Sequence, residues 1–324
     1  MDNTSKNKKS KKPNWIKRIL IALGLLFLAP LFLFTLGWFS RDLLIDELQI
    51  WYEANSNGTL EIGEVNANFI TGFPNVGFSI EDVKQSSFDT ILDKRTIIKL
   101  ARADVNIAAK DLIQGNIQFR NIKIRDARVH TQVLTEKNLQ EYIELKLKKQ
   151  LEQNSGFDLP SWVHPNKTNF QLQNVHFIAE NKILHKYFDL VAENVSGQIR
   201  SGDEVISGNI TYEVFINDLG FNTRKGSFIN GALATGSPEF ELKKSSNTLS
   251  LPAFKLQLDD QNFEAEAQFV FNELTEYEFS LKNEITDFKK IQQFLADSLA
   301  AKVKPYQLQD PIATNLKLKG KAYE

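Results

Sequence analysis

The chain has no cysteine, one methionine, four histidines and a formal net charge of only −1. Without cysteine there is no disulfide, no thiolate zinc site and no thiol nucleophile. An oxidising compartment stays open, because a chain of 324 residues buries enough surface to hold together without cross-links. Without a strong positive charge, nucleic acid is not an expected partner. The histidines, His130, His164, His176 and His185, lack metal-site spacing, and no HExxH is present. His176 and His185 read as ordinary surface residues. "GFNTRKGS" has five residues between its glycines and a serine after the second, so it is not a phosphate loop. No G-x-S-x-G elbow occurs. Glu264 and Glu266 fall on the wet side of a strand, and Asp259 and Asp260 in a turn. The expectation is a protein without catalytic residues, metal or cofactor.

Phenylalanine is abundant instead, with 24 copies. It buries a large apolar area and favours strands. "QNFEAEAQFVFNE" (261–273) shows the pattern: Phe263, Ala265, Ala267, Phe269 and Phe271 point one way, while Asn262, Glu264, Glu266 and Gln268 point the other. Similar period-two runs fill "TLEIGEVNANF", "VGFSIEDV", "TIIKLARADVNI", "NIQFRNIKIRDARVHTQV", "TNFQLQNVHFIAE", "KYFDLVAENVSGQIR", "EVISGNITYEVFI", "TLSLPAFKLQLD", "TEYEFSLKNEI" and "TNLKLKG". Short Gly, Asn, Asp and Ser turns separate them, which predicts an antiparallel meander. In "NIQFRNIKIRDARVHT" the apolar phase moves from Ile117 and Phe119 to Ile122 and Ile124, then to Ala127 and Val129. Two slips predict bulges or tight turns at Arg120-Asn121 and Arg125-Asp126.

Ile19 to Phe39, "ILIALGLLFLAPLFLFTLGWF", carries no charge. At 1.5 Å per residue it spans about 30 Å, the thickness of a bilayer's hydrocarbon core. Trp38 and Phe39 suit an interfacial anchor better than a signal-peptide cleavage site, and a bilayer helix tolerates Pro30 at mid-span. Lys6, Lys8, Lys9, Lys11, Lys12, Lys17 and Arg18 precede the run against only Asp2, and after it Arg41 is followed by Asp42, Asp46 and Glu47. The positive-inside rule therefore places residues 1–18 in the cytoplasm as a basic tail and everything past about 40 on the other side.

Four helices are expected beyond the span. "SRDLLIDELQIWYEANSNG" repeats Leu44, Leu48 and Trp51, with Gly58 as a stop. "AAKDLIQG" is a short connector. "EKNLQEYIELKLKKQLEQ" aligns Leu139, Ile143, Leu147 and Leu151, and "DFKKIQQFLADSLAAKV" aligns Phe288, Ile291, Leu295 and Leu299 behind a Thr286 or Asp287 cap. Such faces are expected to pack on a sheet or close its end. Residues 154–168, with two prolines, form a linker between a first β segment with flanking helices (40–153) and a second meander (169–285). A helix at 286–306 and the start of a further β segment at 307–324 complete the division.

The order of these parts resembles the AsmA family of envelope proteins, whose larger relatives include TamB and YhdP. The resemblance starts at the anchor and runs through "LEIGEVNANFITGFPNVGFSIEDVKQSS", where an aromatic-proline turn (Phe73, Pro74) joins two strands. It continues in "RADVNIAAKDLIQGNIQFRNIKIRDARVHTQVLTEKNLQEY". "VHFIAENKILHKYFDLVAENVSGQI" and "FNTRKGSF" resemble the version found in the Bacteroidota. The resemblance implies a single-pass bacterial inner-membrane protein, its N-terminus cytoplasmic and its bulk periplasmic. It further implies an elongated, curled β groove, similar to that of bridge-like lipid transfer proteins, that carries phospholipids between envelope membranes and supports outer-membrane biogenesis. Family members are linked to outer-membrane protein assembly as well. Relatives are usually longer, whereas this chain stops at "NLKLKGKAYE" as another strand begins. About 11 to 15 strands at about 4.8 Å give roughly 50–70 Å of sheet. The chain is then truncated, or delivers lipid to another component, or is a scaffold.

Alternation alone does not separate a closed sandwich core from a lipid-lined groove. A bilayer tether, strands with few helices to cover them and the family resemblance all favour the groove. Its candidate lining, assigned by alternation, is Ile117, Phe119, Ile210, Tyr212, Phe263, Phe269 and Phe271. The alternative is a tethered, non-enzymatic scaffold for outer-membrane protein assembly with a closed β core.

Overall fold

A computed structural model describes residues 32, 35–37, 39–50, 52–53, 57–68, 75–133, 139–153, 163, 166–272, 275–306 and 310–321. The anchor at 19–39, including Ile19, Pro30 and Trp38, lies almost wholly outside them, as does most of the 154–168 linker. Among the described residues no helix is long and apolar enough to cross a membrane. The chain is mainly β, 63% strand, in one fourteen-stranded sheet with a few short helices.

A helix over 39–50, α1, leads into β1 (Gly58–Glu61), β2 (Val65–Asn68), β3 (Asn75–Asp89), β4 (Lys94–Ala108), the one-turn α2 (Ala109–Ile113) and β5 (Phe119–Val133). Next come α3 (Leu139–Gln153), β6 (Thr168–Asn181), β7 (Lys186–Ser201), β8 (Val205–Gly220), β9 (Ala232–Gly236) and β10 (Glu239–Lys243). The chain continues through β11 (Thr248–Leu258), β12 (Gln261–Val270), β13 (Glu276–Thr286), α4 (Phe288–Phe294), α5 (Asp297–Val303) and β14 (Ile312–Lys321). β1 and β2 pair successive stretches of β3 in one register, from Gly58 opposite Ser87 to Asn68 opposite Gly77. β9 and β10 pair β8 in the same way, from Ala232 opposite Ile216 to Lys243 opposite Val205. Each of these pairs is one interrupted row; Ser237 and Pro238 make the second break, since proline cannot donate to a ladder. The rows stack from β1 to β14 in sequence order, over roughly 50 Å at about 4.8 Å per row.

The expected antiparallel meander holds at every junction along that order but one. β5 and β6 run parallel, from Asn121 opposite Asn169 to Val133 opposite Asn181. A short turn cannot join parallel neighbours. Here the connection is long and contains α3, which gives the chain length to return to the end where β5 began. The return is fixed by a parallel bridge from Val163 to Phe119 and by the Thr168 hydroxyl, which donates to the Phe119 carbonyl at 2.8 Å.

Both predicted phase slips in β5 are present. Arg120 is skipped in the pairing with β4, because Asn121 lies opposite Asn106 while Phe119 lies opposite Ile107. Asp126 is left-handed, at φ 53°. The second slip belongs to a line that crosses the sheet. Asp82 in β3 and Asn174 in β6 share that φ, and the pairs Asp82–Ala101, Ala101–Asp126, Asp126–Asn174 and Asn174–Glu193 are the ones missing from consecutive ladders. At β7–β8 Glu193 is the extra residue of a bulge. A left-handed residue breaks the alternation, so along this crease each strand changes phase in step with its neighbours. Asp and Asn enter this region more readily than other non-glycine residues.

The helices depart from expectation in packing more than in place. α3 buries Tyr142 with Leu145 against Leu92, Val133 and Ile183 at the strand ends, while Leu139 is exposed. The single helix expected after Thr286 is two, because Leu295 bridges to Ile229 and the Ala296 amide donates to the Phe228 carbonyl. Asp287 is its cap, accepting from the Lys289 amide at 3.0 Å, whereas Thr286 is fully buried. Gly58 opens β1 and does not close the helix. A Cβ there would meet the Ser86 carbonyl oxygen at 1.9 Å and the Tyr52 hydroxyl at 2.5 Å.

Candidate functional site

Register carries one apolar face across all rows. In β3 it runs through Val76, Phe78 and Ile80, then past the crease through Val83; in β4 through Ile107, Val105, Ala103 and Leu100. β5 adds Phe119, Ile122 and Ile124, then Ala127 and Val129 beyond Asp126. Ile122 lies opposite Phe170, Phe170 opposite Gly197, and Gly197 opposite Ile210. Tyr212 follows Ile210 on β8 and lies opposite Gly236 of β9. Leu249 and Leu256 on β11 lie opposite Phe269 and Phe263 on β12, and Tyr277 and Leu281 on β13 continue the face to Gly320 and Leu316 on the edge strand. The phase changes at the crease are what keep both halves of the long strands apolar on the same side.

All seven candidate lining residues belong to this face, in two different settings. Ile117 and Phe119 sit in the first cluster, where α1 lays Leu44 and Leu48 over β2–β5, and Phe119 is 4% exposed. These two are core beneath a helix. Phe263, 5% exposed, anchors a second cluster with Ile216, Ala232, Ala234 and Leu258, which Tyr212 borders. The Ile229 loop packs on that cluster. Ile210, Tyr212, Phe269 and Phe271 are half-buried, and the rings of Phe269 and Phe271 stack at 6.4 Å with planes 10° apart. Among the described residues no second sheet faces this surface. Phe170, Leu172, Phe177, Leu190, Phe240 and Phe279 share it and were missed; the phase slip at Asn174 hides the first three from simple alternation. Of Ile19, Pro30, Trp38 and Phe39 only Phe39 is described, and it is 81% exposed on α1.

Aromatic rings lie flat on cross-strand glycines along the face. A Cβ on Gly197 would meet the Phe170 ring at 2.9 Å, one on Gly208 the Phe240 ring at 2.7 Å, and one on Gly236 the Tyr212 hydroxyl at 2.6 Å. Tyr277 covers Gly320 in the same manner. This pairing buries ring area against backbone without a second layer. Burial raises the Tyr212 hydroxyl above its ordinary value, so it is neutral at physiological pH.

The opposite face is largely polar, with Ile97, Ile178, Val191 and Phe215 among its exceptions. Asn106, Asn121, Asn169, Gln198 and Asn209 form one cross-strand row, and they line a concavity of about 810 Å³ with Arg102, Asp104 and Arg125. Burial works to raise the Asp104 carboxyl, but the Ser79 hydroxyl (2.6 Å), Arg102 Nε (2.9 Å) and Arg125 outweigh it and hold it below its usual value. Farther along, Asp189 accepts from Asn217 Nδ2 at 2.8 Å and faces His176 Nε2 at 2.8 Å. Burial opposes these contacts, yet they keep its carboxyl low. Hydrogen-bonded in this way, both clusters are structural polar networks. Among the described residues no group of three or more His, Asp or Glu is placed to hold a metal.

No protein-family model matches this chain, and no curated protein sequence matches it.

Proposed function

We propose that the chain is a single-pass inner-membrane protein of the AsmA type, whose sheet curls into an elongated periplasmic groove that takes phospholipid acyl chains along its apolar face. Headgroups stay in water at the open side. The observation that carries this reading is the continuity of the apolar face from β3 to β14, without a described second layer facing it past β5. Each buried CH₂ contributes about 0.8 kcal/mol, so a lining of this kind offsets most of the cost of leaving a bilayer. A lining of nearly constant composition keeps that term level along the path and leaves small barriers to sliding. Transfer of this sort needs no catalytic residue and no cofactor. In this reading the partners are the inner membrane, phospholipids and the envelope assembly proteins that such lipid supply supports.

The test is lipid analysis of residues 40 onward, produced without detergent. Mass spectrometry of the extracted protein is expected to find phospholipid at a reproducible ratio to the chain; a lipid-free, folded preparation sinks the reading. One observation favours the tethered scaffold as a second reading: α1 seals Phe119 and Leu44 into a closed core over β2–β5. That account expects no lipid and a protein partner in its place.

A further inference from the structure

The strand ends beyond β7 and β8 carry a tip that neither reading uses. A 3-10 turn over Thr223–Lys225 follows β8, and on either side of it stand Phe221 and Phe228, 52% and 49% exposed. Their rings form an edge-to-face chain that starts on the sheet: Phe188 to Phe221 at 5.6 Å, then Phe221 to Phe228 at 6.1 Å. The chain is built to hold the rings out. The Thr223 amide donates to the His185 carbonyl at 2.7 Å and the Phe228 amide to the Leu219 carbonyl at 2.7 Å, while Gly226, at φ 91°, lets the turn reverse. Two aromatic rings left in water have a cost that their mutual contact does not offset.

The charges beside the rings are mostly positive. Arg224 and Lys225 are exposed between them, and Lys182 is exposed in the adjoining β6–β7 turn. Lys182, His185, Lys186 and Arg224, with Glu180 as the one carboxylate among them, line a concavity of about 890 Å³ next to the rings. The carboxylates closest in sequence are already engaged on the strands: Asp218 accepts from Ser227 and Asp189 from Asn217. Asp297, which opens α5 near Phe228, is acidic and exposed at this edge, and farther along it so are Asp259, which accepts from the Leu233 amide, and Asp260, which pairs with Lys290. The tip also sits at the strand ends remote from the start of α1. That helix packs Leu44 into the cluster of Val76 and Ile107, and just past its end the Tyr52 hydroxyl donates to the Ser86 carbonyl, toward the same end of the sheet as the tip.

Exposed aromatics set among cations match the boundary between lipid headgroups and acyl chains, where a ring gains apolar contact and a cation gains phosphate. We propose that this tip is a docking site for an anionic phospholipid bilayer, with Phe221 and Phe228 entering the headgroup boundary and Arg224, Lys225 and Lys182 lying against the phosphates. The proposal goes beyond the groove reading and stands without it, since an open groove and a closed core leave the same tip exposed.

The full-length chain, exchanged into discs of neutral phosphatidylcholine, is mixed with sucrose-loaded vesicles and sedimented. Vesicles with about one third phosphatidylglycerol are expected to carry the discs down, and vesicles of phosphatidylcholine alone are not. Each basic residue near such a surface contributes about fivefold, so Arg224→Gln with Lys225→Gln is expected to lower the partition by about 25-fold. Phe221→Ser with Phe228→Ser is expected to lower it by about tenfold. The first pair leaves the rings in place, so it tests the proposal even if the second loosens the tip. Equal retention by neutral vesicles, or a wild-type partition in either double variant, overturns it. Lipid bound in the groove does not enter this measurement.

Discussion

Asp82, Asp126 and Asn174 show how single residues shape the sheet. Each holds a left-handed conformation in mid-strand, which costs an ordinary L-residue about 1–2 kcal/mol and a glycine nothing. Asp82→Val is therefore expected to lower stability by about 1–2 kcal/mol, while Asp82→Gly stays within about 0.5 kcal/mol of the parent. Urea midpoints for the two variants decide it, and equal midpoints would refute the strain argument. Asp104 makes a second prediction on the polar face, where its carboxyl is held low by Ser79, Arg102 and Arg125 against the opposing effect of burial. A carboxyl depressed in the folded state contributes stability that is present above its unfolded value, near 4, and is lost as pH falls through the folded value. Asp104→Asn is expected to cost about 1–2 kcal/mol at pH 7, and to lose less than the parent between about pH 5 and pH 2. Chemical unfolding across that range checks the sign; parallel curves would mean that the two arginines contribute nothing through this carboxylate.

The elements divide sharply by how much of them alternation exposes. β12 was fully legible, because buried and exposed residues alternate from Gln261 to Gln268 without a fault. The crease was half legible: the slip at Asp126 can be read from Ile124 and Ala127, but only the ladders show that Asp82 and Asn174 fall in line with it. β9 and β10 left no readable signal, since "ALATG" and "EFELK" are five residues each and their common row is visible only against β8. The split between α4 and α5 was hidden because Leu295 keeps helical spacing while its backbone serves Ile229. Strand direction was equally hidden at β5–β6, as period-two patterns are blind to it. α1 was legible as a helix, but not the surface it covers. That surface yields a test of the helix as a structural lid. Leu44 is fully buried among Val76, Ile107 and Phe119, so Leu44→Ala is expected to destabilise the domain by about 2–5 kcal/mol. A change in thermal midpoint too small to measure would show instead that α1 rests on the sheet without being part of its core.

Across the whole molecule, the same apolar face serves as closed core beneath α1 and again around Phe263, where the Ile229 loop packs on it, and as half-buried surface at positions such as Ile210 and Phe269. This contrast makes the groove reading testable with matched substitutions. Phe119 lies under the helix with its ring almost wholly out of water, whereas Phe269 lies opposite Tyr277 and Leu249 with its ring stacked on Phe271. A carboxylate in place of Phe119 has no polar partner and loses its hydration, a cost of several kcal/mol against a total stability of about 5–15 kcal/mol. Phe119→Asp is expected to unfold the chain. In an open groove a carboxylate at 269 keeps water beside it, so Phe269→Asp is expected to retain a cooperative thermal transition close to that of the parent. It is also expected to abolish phospholipid co-purification, because a charge in the lining interrupts the contact that acyl chains need along their path. Mass spectrometry of the extract and a melting curve on the same preparation read both halves of the expectation. Should Phe269→Asp unfold as completely as Phe119→Asp, the face is sealed at both positions, the acyl path does not exist, and the tethered scaffold becomes the better account.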